Sequence, residues 1–126
     1  MSTGQPYSDE VRRLFREAPG AGRPDGAGWV TAEAAESLTG TRVRWHVRAR
    51  GGVLTDARYQ VRGCPHTVAA AALVAAGLKG RPVGGAGVDF EAIAQRLQAP
   101  AAKRGRFFVI QDALHAALLL LGAPSA

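Results

Sequence analysis

Two alternating segments joined by a pair of glycines constrain this chain more than any other feature. From 41 to 50, Val43, Trp45, Val47 and Ala49 alternate with Arg42, Arg44, His46, Arg48 and Arg50. From 53 to 62, Ala57, Tyr59 and Val61 alternate with Asp56, Arg58, Gln60 and Arg62. Successive side chains of a strand point to opposite faces, so a strict period of two marks a half-buried strand. Gly51 and Gly52 between the segments tolerate the positive φ of a tight hairpin turn. The segments therefore read as an antiparallel hairpin with one apolar face and one arginine face.

The other elements follow from their own patterns. Ser8 can cap a first helix, with Asp9 and Glu10 in its first turn, Arg12, Arg13 and Arg16 behind them, and Val11, Leu14 and Phe15 as its apolar stripe. Pro19 and Gly20 stop it, and 18–28 is turn chemistry. Residues 29–37 read as a short strand, although TAEAAES also suits a helix. After Gly63 the period becomes helical: Cys64 stands at an N-cap, Pro65 at the favoured first position, and an Ala-rich helix runs to about Leu78. Val88, Phe90, Ile93, Ala94 and Leu97 mark a short amphipathic helix ended by Pro100. A last helix over about 106–121 buries Phe107, Ile110, Leu114, Leu118 and Leu121. Strands followed by helices predict an α+β fold, a three-stranded antiparallel sheet with helices packed on one face.

Length and composition narrow the classes. With 126 residues the chain reads as one domain over 1–126, with tails at 1–6 and 122–126. Its single cysteine excludes an intramolecular disulfide framework and a Cys₄ or Cys₂His₂ zinc site. The N-terminus shows neither the basic nor the apolar region of a signal peptide. The most apolar stretch, 113–123, is about half the ~20 residues that span a bilayer. A cytoplasmic protein without a membrane partner is expected.

Cys64 is the residue with a direct chemical argument. A thiol at a helix N-terminus meets free N–H groups and the positive end of the dipole, which favour thiolate, and a protonated His66 would add to this. A small buried core thiol is the competing reading, and the local sequence leaves both open. His46, on the solvent face of its strand, and His115, in an i, i+3 pair with Asp112, read as structural. Arg42, Arg44, Arg48, Arg50, Arg58 and Arg62 face only Asp56 within the hairpin, part of a net charge of +6. That face lacks interleaved aromatics for stacking bases, so it reads as a solvated basic face or one half of a protein contact, with no specific nucleic-acid partner. The glycines at 84, 85 and 87 match no phosphate-binding fingerprint, and no catalytic triad or carboxylate pair stands out. No enzyme activity is expected.

Read end to end, the chain resembles the U-type iron–sulfur cluster scaffolds, the family of IscU and the N-terminal domain of NifU. Tyr7-Ser8-Asp9-Glu10-Val11 with Phe15 resembles the family's opening motif, Asp56-Ala57-Arg58-Tyr59 the end of its hairpin, and Arg62-Gly63-Cys64-Pro65-His66 its Gly-Cys-x-x-x-(Ile/Val)-Ala motif. Leu78-Lys79-Gly80-Arg81 is similar to the Lys-Gly-Lys element that follows, and Lys103 with Gln111-Asp112-Ala113-Leu114 to the start of the final helix.

The resemblance implies a cluster held by three cysteines and an aspartate, and here the ligands depart from it. Ala-Cys-Gly-Asp aligns with Leu38-Thr39-Gly40-Thr41, putting Thr39 at the first Cys and Thr41 at the Asp. Cys64 keeps the second Cys. Lys-Leu-His-Cys aligns with Lys103-Arg104-Gly105-Arg106, so Gly105 takes the His and Arg106 the third Cys. Threonine is a poor iron ligand beside thiolate, and arginine does not deprotonate to become one. The resemblance thus implies a divergent scaffold-like protein of cluster assembly or sulfur transfer, with an iron–sulfur cluster or iron weakly held or absent in the isolated chain. Cys64 is then the sulfur, cluster or metal residue, His66 and Lys103 are auxiliaries, and a cysteine desulfurase or other assembly protein is the partner. The alternatives are a SufE-like acceptor of persulfide sulfur on Cys64, and a non-catalytic module that docks through its basic face.

Overall fold

A computed structural model describes residues 7–85 and 87–122. The tails assigned at 1–6 and 122–126 lie outside the described residues, Gly122 excepted. The element order is α1 (Asp9–Glu17), β1 (Val30–Glu36), β2 (Thr41–Arg50), β3 (Val53–Arg62), α2 (Pro65–Leu78), a 3-10 turn (Val83–Gly85), α3 (Phe90–Leu97), α4 (Ala101–Arg104) and α5 (Phe107–Leu120). The strands form one antiparallel sheet in the order β1-β2-β3, the α+β architecture the alternation predicts.

The hairpin register places Val43 opposite Val61, Trp45 opposite Tyr59 and Val47 opposite Ala57. On the other side of β2, Ala32 and Ala34 of β1 oppose Trp45 and Val43. These small side chains on the inner face leave room for α5, which packs over β1 and β2, while α2 packs over β3 and α1 against α2. Trp45 is fully buried, tilted against Tyr59 at 5.8 Å between ring centroids, and its indole N–H donates to the Ile110 carbonyl over 3.2 Å. That bond satisfies the one polar atom a buried indole brings with it. Truncating such an aromatic to Ala costs about 3–5 kcal/mol.

The edge of β3 that faces away from β2 is covered by loop backbone. Gly22 N–H donates to Tyr59 O at 2.9 Å, Gly80 N–H to Leu54 O at 2.8 Å, and Leu54 N–H to Arg81 O at 2.9 Å. Gly20 lies at φ +85°, a conformation that favours glycine, and a Cβ there would sit in ordinary contact with the Tyr59 ring at 3.4 Å. The Tyr59 hydroxyl donates to Pro19 O at 2.9 Å, and burial pushes its pKa up to about 12. Ser8 caps α1 by accepting from the Val11 N–H, and its hydroxyl donates to Leu97 O, tying α1 to the end of α3.

Several expectations need correction. Phe15 is 47% exposed, because the apolar stripe of α1 is satisfied by Val11 and Leu14. His46 does lie on the outer face, but it is 4% exposed: its ring is pinned between Thr31 Oγ1 at 2.7 Å and Gln60 Oε1 at 2.8 Å. Val61, Leu118 and Leu121 are only half-buried. The arginine face is also less bare than the hairpin alone suggests. Glu33 of β1 stands opposite Arg44 and pairs with it at 2.7 Å and with Arg42 at 3.5 Å, while Asp56 pairs with Arg48, itself half-buried, at 2.9 Å. Strand β1 supplies a carboxylate that lies outside the hairpin. Among the described residues, no helix is long and apolar enough to cross a membrane.

Candidate functional site

The turn between β1 and β2, the start of α2 and the junction of α4 with α5 bring the aligned positions together at one end of the sheet. Glu36, the last residue of β1, organises the turn: its carboxylate accepts from the Leu38 N–H and, at 3.1 Å, from the Thr39 N–H. The Thr39 hydroxyl donates to the same carboxylate at 2.6 Å and lies 2.7 Å from the Thr41 hydroxyl. These bonds, with the Arg106 charge nearby, hold the Glu36 carboxyl below the usual carboxylate range. Thr39 is exposed and Thr41 buried. The Thr41 methyl reaches the start of α2, where a Cβ on Gly63 would lie 3.6 Å from it and 3.4 Å from Thr67 Cβ.

Cys64 is the N-cap of α2, as the sequence predicts, but its side chain makes no capping bond. The thiol is free and half-buried, with Sγ 3.4 Å from the Thr67 hydroxyl. Burial pushes its pKa up. The Thr67 hydroxyl and N–H, the Arg106 guanidinium and the His66 N–H push it down more strongly, and the balance lies below the ordinary thiol value. The donors win because a thiolate at a helix start collects several N–H and O–H groups at once.

Arg106, half-buried between α4 and α5, bears on both Cys64 and Glu36, and its Nε is buried without a partner. Gly105, beside it, is exposed and has no Cβ contact to offer. Lys103 is half-buried on α4. His66 is 1% exposed, with its ring 5.0 Å from the Tyr7 ring and both ring nitrogens unpartnered. Burial, then the charges of Lys103 and Arg106, lower its pKa. His66 is therefore neutral at pH 7, and the protonated form considered from sequence contributes nothing to Cys64.

Two members of the site escaped sequence reasoning. Thr67 carries its signal in its spacing, three residues after the N-cap and hence over the first turn. Glu36 carries one in standing three residues before Thr39, where a carboxylate can collect the N–H groups of a turn.

The donor set does not suit iron or an iron–sulfur cluster. It offers one thiolate, two threonine hydroxyls already bonded to each other and to Glu36, and a fixed cation at the remaining corner. Among the described residues, no group of three or more His, Cys, Asp or Glu side chains could hold a metal ion.

The sequence profile described as NifU-like N terminal domain matches residues 6–121. No curated protein matches the sequence. Among solved structures, the fold is similar to that of a putative iron–sulfur cluster assembly scaffold protein for the SUF system from Fervidobacterium islandicum AW-1. That likeness has a TM-score of 0.73 at 15% identity and covers 93% of this chain and 99% of that one. A nitrogen-fixing NifU-like protein (N-terminal) from Brucella abortus aligns with a TM-score of 0.53 at 19% identity, over 90% of this chain and 84% of that one. At such identities the structures establish a common fold.

Proposed function

Because this chain belongs to the family of NifU-like N-terminal domains, we propose that it acts in iron–sulfur cluster assembly without itself holding a conventional cluster. The observation that carries this reading is Arg106, a permanent cation set against the one thiol of the site. A cationic corner repels iron, and two hydroxyls do not replace a thiolate and a carboxylate. The cluster, as cargo, would then be built or carried elsewhere, with this chain handling another part of the process. The test is anaerobic incubation of the full chain with iron and sulfide, followed by gel filtration. The protein should emerge without charge-transfer absorbance. A stoichiometric cluster on a monomer would overturn the reading.

A second reading makes Cys64 an acceptor of persulfide sulfur, and the thiolate-favouring surroundings of a half-buried, uncapped thiol support it. The thiolate would attack the outer sulfur of a donor's Cys–S–S⁻ group. The donor's S–S bond breaks, its cysteine leaves as thiolate, and a new S–S bond forms at Cys64 with no net oxidation. A cysteine desulfurase is one partner that presents such a group. Loading Cys64 with one sulfur atom from such an enzyme, read by intact mass and lost in Cys64→Ser, tests it.

A further inference from the structure

The Cys64 site holds more unpartnered buried polar atoms than sulfur acceptance from a protein requires. Arg106 Nε, at the start of α5, is buried with no partner, and both ring nitrogens of His66, on the first turn of α2, are buried with none, one of them an N–H donor in the neutral ring. A buried donor without an acceptor costs about 1–3 kcal/mol, and more when it is charged. Folded chains seldom tolerate two such groups close together unless something else completes them. Glu36, the carboxylate that the Arg106 charge acts on, does not do so, because its oxygens are taken by Leu38 and Thr39. Arg106 and Lys103 both act on His66, so two cations and a neutral imidazole share this one end of the molecule with the thiol.

We propose that the site binds thiosulfate, and that Cys64 takes the outer sulfur of this inorganic anion. Its sulfonate oxygens supply the acceptors that the chain lacks there, and a planar guanidinium suits such an oxyanion. The Cys64 thiolate attacks the sulfane sulfur, the S–S bond of thiosulfate breaks, and its electron pair leaves with sulfite. Cys64 keeps a persulfide anion. Charge and sulfur balance, and no external oxidant or reductant is needed. The same guanidinium that orients the sulfonate then faces the new anion. Arg106 is thus the residue that would otherwise have been a ligand, used to exclude a metal cation and admit an anionic sulfur donor. The inference rests on the sulfur-accepting reading of Cys64 and adds the class of donor.

The test offers the full chain either thiosulfate or glutathione persulfide, with cyanide to remove the sulfur as thiocyanate. Cys64 loading is read by intact mass. Thiosulfate should load Cys64 and give thiocyanate with saturation, sulfate should compete, and Cys64→Ser should abolish both signals. Arg106→Ala should raise the KM for thiosulfate about tenfold, the scale of one charge-assisted hydrogen bond, with a smaller effect on glutathione persulfide. Arg106→Lys should recover part of the loss. Lys103→Ala, at a half-buried position of the short helix α4, provides a second weakened variant should Arg106→Ala fold poorly. Loading by glutathione persulfide but not thiosulfate would overturn this inference and leave the sulfur-accepting reading standing. Loading by neither would remove both.

Discussion

The Thr67 hydroxyl lies 3.4 Å from Cys64 Sγ, one turn into α2, and so turns the start of a helix into a pocket for a thiolate. Burial alone would raise the Cys64 pKa. Thr67 and Arg106 reverse the sign. Thr67→Val removes the hydroxyl while keeping the shape, and Arg106→Ala removes the cation. Each should raise the thiol pKa and slow iodoacetamide labelling at neutral pH. A rise of about one pKa unit cuts the thiolate fraction roughly tenfold below the pKa. The pH–rate profile of each variant, beside that of the wild type, checks this. Profiles that coincide would leave Cys64 an inert core thiol.

The hairpin was legible because its information is local: the alternation around Trp45 and Tyr59 and the Gly51-Gly52 turn mark the two strands and their faces, whereas the one-residue register shift between Arg48 and Ala49 carries no such signal. The cap at Cys64 was legible for the same reason, since Pro65 and the change of period mark it. Glu33 and the burial of His46 were not, because both depend on which strand lies beside β2 and in what register. At the site, the family alignment named Thr39, Thr41, Cys64 and Arg106. It carried no sign of Thr67 or of the Tyr7–His66 contact, which belong to packing between elements far apart in sequence.

His66 makes stability depend on pH. Its folded pKa is lowered by burial and by Lys103 and Arg106, so the unfolded chain binds the proton more readily. Stability from this residue is fully present above the unfolded value of ~6.5 and is lost as pH falls toward the folded one. The urea midpoint should therefore drop between about pH 6.5 and the onset of carboxylate titration. His66→Phe keeps a ring against Tyr7 and removes the titration, so its midpoint should stay level across that window. A wild type with no such slope would show that the imidazole is not held neutral.

On the outer face, Arg42 and Arg62 stand directly opposite each other, and Glu33 neutralises only the β1 side of the array. Like charges across a strand pair are destabilising, so some of this repulsion remains in the folded state. Duplex DNA should bind this face weakly, with an affinity that falls steeply with salt, because only phosphate contacts are on offer. Glu33→Gln frees Arg42 and Arg44 and should strengthen that binding at low salt without creating sequence preference. Fluorescence anisotropy across a salt series measures it, and sequence-selective binding at physiological salt would contradict it.

The most demanding prediction concerns the lost ligands. Thr39, Thr41 and Arg106 are joined to the Cys64 neighbourhood through the Thr39–Thr41 hydroxyl contact, the Thr41 methyl beside Gly63, and the guanidinium that acts on the sulfur. If chemistry rather than backbone is what excludes iron, restoring the donors should restore binding. The triple variant Thr39→Cys, Thr41→Asp, Arg106→Cys replaces two hydroxyls and a cation with two thiols and a carboxylate. Thiolates and carboxylates are competent ligands where hydroxyl and guanidinium are not. Anaerobic reconstitution of this variant should give charge-transfer absorbance that the wild type lacks, and Arg106→Cys alone should fall short because Thr39 still leaves a corner empty. A triple variant that folds yet binds no iron would place the obstacle in the backbone of the 37–40 turn instead of in its side chains.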